Sequence, residues 1–162
     1  MTSVIGTLHR LDDRRGTVRV EDLYETDIDD LWSALTVPER LARWIASVDG
    51  DLRVGGRVHA EFTSSWEGPV RIDVCEAPDH LVVTMQPGSD EETLIEAFLS
   101  AEGTRTRLVV EERGLPLEVL SLHGAGWHAH LEDLARSLAG QKSEWKSRWD
   151  SLAPAYRSLD IA

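Results

Sequence analysis

Residues 106–140 read TRLVVEERGLPLEVLSLHGAGWHAHLEDLARSLAG, and the period of the apolar residues changes part-way through them. Leu108 and Val110 alternate with their neighbours, the period of two that marks a strand with one dry face. The same parity turns Glu112 towards the interior, where a carboxylate needs a hydrogen-bonding partner or an open cavity. Beyond Gly114-Leu115-Pro116, the residues Leu120, Trp127, Leu131, Leu134 and Leu138 fall on one helical stripe that stops at Gly140. A strand thus hands the chain to one long helix.

Working outward, the period is two from Asp51 to Glu112, with breaks at Gly55-Gly56, Glu67-Gly68-Pro69, Ala77-Pro78-Asp79, Pro87-Gly88 and Glu102-Gly103. That predicts about five strands joined by short turns, an antiparallel pattern. Their inward sets are Val58, Ala60 and Phe62, then Val70, Ile72 and Val74, then Leu81, Val83 and Met85. In TLIEAFL the inward set is either Leu94, Glu96 and Phe98 or Ile95, Ala97 and Leu99. Earlier, TLHRLDDRRGTVRVEDLYE reads as a hairpin turning at Asp12 to Gly16. TDIDDLWSAL reads as a short helix capped by Asp27, and Pro38 opens a second whose Leu41, Trp44 and Ile45 share a face. Residues 141–162 set Trp145, Trp149, Leu152, Tyr156 and Leu159 at helical spacing, with Pro154 expected to interrupt them. The absence of repeats or long linkers predicts one domain over 1–140 with a helical extension, 141–162, packed on it.

At 162 residues, 41% hydrophobic and 28% charged, the chain has a globular composition and no apolar run long enough to span a bilayer. No basic, apolar and small-residue series opens it, which predicts a cytoplasmic protein without a signal peptide. The lone Cys75, in VRIDVCEAP, can close no internal disulfide and reads as a structural strand residue. A net charge of -12, spread along the chain, opposes nucleic acid as a partner.

The stretches VRVEDLYETDIDDLWSALTVPERLARWI, DLRVGGRV, GTRTRLVVEERGL and HGAGWHAHLEDLARSLAG, spread over residues 18–140, resemble in wording and order the SRPBCC superfamily. They are most similar to proteins of the kind that activate the ATPase of the ninety-kilodalton heat-shock chaperone. The resemblance implies an α+β helix-grip fold: a curved antiparallel β-sheet wrapped around a long C-terminal α-helix, two short helices after the first strands, and a pocket for apolar molecules. Two positions depart from the family's pattern. Val37 stands where a capping Asp or Asn is usual, and Glu112 where relatives carry another polar residue, commonly histidine. Chaperone activators carry a further domain ahead of this one, and at 162 residues the chain is expected to lack it. Many bacterial relatives have no assigned ligand, distant members bind steroids, lipids or polyketides, and a few act as cyclases or hydrolases.

The histidines sort by helical angle. At about 100° per residue from Trp127, His123 and His130 flank the inward stripe and His128 points aside. His123 and His130 lie two turns apart, and neither an HExxH motif nor paired cysteines accompany them, so no metal and no cofactor are expected. Gly124 and Gly126 are expected to let a neighbouring backbone approach, and Trp32, Trp44 and Trp127 to be core. The expected function is to hold a small apolar or amphipathic ligand between sheet and helix. Phe62, Ile72, Val83, Met85, Leu108, Val110 and Trp127 would form the walls, Glu112, His123 and His130 the polar groups, and Trp66 the mouth. The alternatives are a cyclase or hydrolase using His123, Glu112 or His130 as catalytic acid or base, and a co-chaperone-like interaction protein. The aromatic tail is a candidate lid or homodimer contact.

Overall fold

The computed structural model describes residues 4–162. The opening turn closes a hairpin of β1 (Gly6–Arg10) and β2 (Arg15–Tyr24), in which Asp12 accepts the amides of Arg14 and Arg15. Asp27 caps α1 (Ile28–Thr36) by accepting the Asp30 amide at 2.8 Å, with Asp29 and Asp30 in the positive first turn. Val37 opens α2 (Pro38–Leu41) with no side-chain cap, so this helix lasts a single turn. Trp44 and Ile45 lie beyond it in a turn and are still buried, and the Trp44 indole donates to the Ala34 carbonyl.

Six further strands follow: β3 (Ala46–Gly50), β4 (Arg57–Phe62), β5 (Glu67–Glu76), β6 (His80–Met85), β7 (Thr93–Glu102) and β8 (Arg105–Pro116). The eight strands form one sheet in the order β1-β2-β8-β7-β6-β5-β4-β3, antiparallel throughout. Strand β3 has no sequence expectation behind it, because the short edge segment ASVDG carries too few apolar residues to show alternation. In β7 the inward set is Ile95, Ala97 and Leu99, all buried, while Phe98 is exposed on the other face. In β5 a bulge between Ile72 and Val74 flips the parity. Val74 therefore pairs with Val82 on the face opposite Val83, and the expected inward trio loses its third member. Strand β8 runs past Glu112 to Pro116, absorbing Gly114 at φ 98° as it does so. The register with β2 slips at this point, between Gly16 and Thr17.

A 3-10 turn (Leu117–Val119) leads into α3 (Leu120–Leu138), which lies against the sheet nearest β1 and β2. Leu120, Trp127, Leu131 and Leu134 enter the main core on this side, each apolar chain contributing about 1.5–3 kcal/mol of burial. The opposite face of α3 is covered by α4 (Trp145–Arg157), where Leu152, Ala153 and Tyr156 form a second, smaller core with Ala125 and Ala129. Sandwiched in this way, α3 is buried almost all round. Helix α4 continues through Pro154, contrary to expectation, because that residue sits on the exposed face, where water can take the carbonyl that its missing amide leaves free. The glycines of α3 also differ from expectation: side chains, not backbone, approach them. A Cβ on Gly124 would stand 2.7 Å from the Tyr156 ring, and one on Gly126 would stand 3.4 Å from that of Trp145. Finally, Ile161 bridges Leu8, while Ala162 exchanges backbone hydrogen bonds with Leu8 and Arg10 along the outer edge of β1. No described helix is long and apolar enough to cross a membrane.

Candidate functional site

The antiparallel register of β7 and β8 sets Ile95 opposite Glu112, and period two places Thr93 on the same inner face. Glu112 is buried there, and the interior carboxylate expected from the sequence has two partners. The Thr93 hydroxyl donates to its Oε2 at 2.7 Å and the Trp127 indole N–H to its Oε1 at 2.8 Å. Such charge-assisted bonds offset much of the desolvation cost of the group. One donor on each oxygen fixes the orientation of the Glu112 carboxylate. His123, more than a third exposed, lies 3.8 Å from Oε1, outside hydrogen-bond length.

His130 lies deeper on α3, in a nest of rings. Its centroid is 5.6 Å from those of Trp127 and Trp145 and 5.9 Å from that of Phe62. Burial pushes its pKa down to about 3, opposed by the Trp44 backbone, and Nδ1 is buried without a hydrogen-bond partner among the described residues. His128 turns the other way, towards α4, as its helical angle implies. Glu132 at 3.2 Å holds the proton on Nε2, so Nδ1 accepts from the Tyr156 hydroxyl at 2.8 Å. Burial raises that hydroxyl to about 12 and lowers His128. The three histidines thus have separate surroundings and do not converge on one point.

His130 makes acid stability testable. A histidine held neutral when folded, and titrating near 6.5 when unfolded, contributes stability that is full above pH 6.5 and is lost as the pH falls towards 3. Between pH 6.5 and about pH 5 wild type is expected to lose about 2 kcal/mol more than His130→Phe in urea denaturation. Parallel pH profiles for the two proteins would contradict this origin.

Between the sheet, α3 and α4 lies a cavity of about 520 Å³. Met85, Thr93, Ile95 and Glu112 line it from the sheet, and His123, Trp127 and His130 from α3. Phe62, at the end of β4, and Trp66, in the turn after it, join from the side, and Trp66 rests on Gly68. Seven of the sequence-derived site residues therefore meet: Phe62, Trp66, Met85, Glu112, His123, Trp127 and His130. Four do not. Leu108 and Val110 lie four and two residues back along β8 from Glu112 and are consumed by the main core. Ile72 and Val83 pack at the edge of that core. Sequence reasoning missed Arg15, and also Thr93 and Ile95, whose register it left open; it had Trp145 and Trp149 as a candidate lid or dimer contact and not among the lining residues. The signal for the two tryptophans was their four-residue spacing at the start of α4. Their rings, 5.9 Å apart and nearly parallel, pack against α3, with the indole N–H groups donating to the Gly126 and Leu122 carbonyls. Arg15, half-buried, donates to the carbonyls of Gly114 and Asp90.

A family model described as activator of Hsp90 ATPase homolog 1-like protein matches residues 25–139. No curated protein matches the chain. Among solved structures, CalU16 from Micromonospora echinospora is 25% identical with a TM-score of 0.77, the match covering 98% of each chain. A protein of Bordetella parapertussis, encoded by gene BPP1335, is 26% identical with a TM-score of 0.70 over 100% of this chain and 97% of its own. DynU16, from the dynemicin biosynthetic locus, is 25% identical with a TM-score of 0.72, but the match covers 78% of this chain and 49% of that one.

Proposed function

The chain belongs to the activator of Hsp90 ATPase homolog 1-like family within the SRPBCC superfamily, and from that premise we propose that it binds a small apolar or amphipathic molecule between sheet and long helix. The observation that carries this reading is the cavity itself. Its roughly 520 Å³ lies within the range of small-molecule sites, and its walls combine apolar and aromatic side chains with a few fixed polar groups. Glu112, His123 and His130 would orient the ligand, with Phe62, Trp66, Met85 and Trp127 as walls. The lone cysteine, able to form no internal disulfide, supports action in the cytoplasm.

Incubated with a panel of neutral, drug-sized apolar compounds, the full chain is expected to take up one molecule per chain in native mass spectrometry. Ile95→Trp or Met85→Trp, which fill the sheet side of the cavity, should abolish uptake while preserving the circular dichroism of the wild type. A panel from which nothing binds, or from which wild type and both filled variants bind alike, would overturn the proposal.

A further inference from the structure

Five of the chain's ten Phe, Trp and Tyr rings line this one cavity: Phe62, Trp66, Trp127, Trp145 and Trp149. They are not evenly mixed with aliphatic groups but form a connected series through His130. Phe62 meets Trp66 edge-on at 5.2 Å and His130 edge-on at 5.9 Å, and His130 passes the contact to Trp127 and Trp145. Three of the four indole N–H groups are already committed, to Glu112, Gly126 and Leu122. What these rings offer a ligand is therefore π surface, which favours flat, offset-stacked or edge-on aromatic partners over flexible chains.

The polar groups of the lining are selective in the same way. Both Glu112 oxygens carry a donor, and Arg15 is held by two carbonyls. The buried group of the lining left open is His130, whose Nδ1 has no hydrogen-bond partner among the described residues. An uncharged imidazole with a free nitrogen calls for a neutral group that can donate or accept, and a hydroxyl does both. An anionic ligand would meet the buried Glu112 carboxylate, and a quaternary ammonium, which has no N–H to give, would leave His130 unsatisfied.

We infer that the ligand of this cavity is a planar aromatic molecule bearing a neutral hydroxyl, its rings stacked among the tryptophans and its hydroxyl paired with His130. The inference rests on the reading of the cavity as a binding site and goes further by naming the chemical class and the residue that selects it.

Titration calorimetry with 2-naphthol, naphthalene and decan-1-ol tests it. Wild type is expected to bind 2-naphthol about tenfold tighter than either of the others, since a site built to pair a hydroxyl discriminates against a ligand that lacks it. His130→Phe should keep naphthalene binding and lose the preference for the hydroxyl. Trp145→Leu, on the half-buried face of α4, should weaken both aromatic ligands several-fold and leave decan-1-ol unchanged, an independent check should His130→Phe fold poorly. Decan-1-ol binding as tightly as 2-naphthol would overturn the aromatic class and leave the small-molecule reading standing. A hydroxyl preference that survives in folded His130→Phe would overturn the role of His130. If none of the three binds and the wider apolar panel also fails, both readings fall together.

Discussion

Replacing Trp127 with alanine is expected to lower the stability of the folded chain by about 3–5 kcal/mol, read as a fall in the urea midpoint at unchanged slope. Two effects add. The indole is 6% exposed within the main core, so its removal leaves a void that α3 cannot close while Leu120, Leu131 and Leu134 still hold the helix to the sheet. Its N–H is also, among the described residues, one of two side-chain donors to Glu112, whose Oε1 would be left buried without a partner. Trp127→Phe separates the two effects, since it keeps most of the volume and removes the donor. It should cost about 1–3 kcal/mol. A phenylalanine variant as stable as wild type would mean that water or another donor replaces the indole N–H.

Tyr156→Ala is expected to be comparably severe, at about 3–5 kcal/mol, but with a different signature. Tyr156 is fully buried between α3 and α4, its ring close against Gly124 and its hydroxyl on His128. Removing it empties the seat of α4, so amide exchange across residues 145–157 should accelerate before the sheet opens, and the emission of Trp145 and Trp149 should move to the red. The reverse perturbation, Gly124→Ala, presses a methyl group into the same ring and should cost about 1–3 kcal/mol, less the gain of about 1 kcal/mol from replacing a helical glycine. If Gly124→Ala instead stabilised the protein, the Tyr156 ring would have room to retreat, and α4 would be seated less tightly than its contacts imply.

The long strands were legible because one face of each is dry and the other wetter, and α3 because its large apolar residues keep to the sheet side while small residues, Gly124, Ala125 and Ala129, face α4; a strict period records either difference in the residue order. The α4 stripe was legible for the same reason. Glu112 was legible for a subtler one: a polar residue in register with Leu108 and Val110 has to be paired, and the structure supplies Thr93 and Trp127. Ambiguity arose where both faces of a strand are apolar, as in TLIEAFL. The hairpin pairs Glu102 with Arg105 across two residues, Gly103-Thr104. Counting back from that turn sets Ile95 opposite Glu112, so the register was recoverable from turn geometry although periodicity could not supply it. The bulge in β5 was not recoverable, since one extra residue in a strand leaves no mark on composition. Nor was the exclusion of Leu108 and Val110 from the cavity. Parity tells which face a residue occupies, and only the position of α1 and α3 along that face tells which part is filled. The contribution of α4 depended on how the chain folds back after Gly140, which a helical stripe does not specify.

The pairing of Ala162 with β1 has a consequence for how separate molecules meet one another. An open sheet ends in two rows of free amides and carbonyls, and such rows template the strand-on-strand association from which fibrils grow. On β1 the outward Leu8 carbonyl and Arg10 amide are already bonded to Ala162, and at the far side the edge is only the five residues of β3. The final residues of the fold therefore act as a guard against self-association, a duty of colloidal stability carried by a segment far in sequence from the strand it protects.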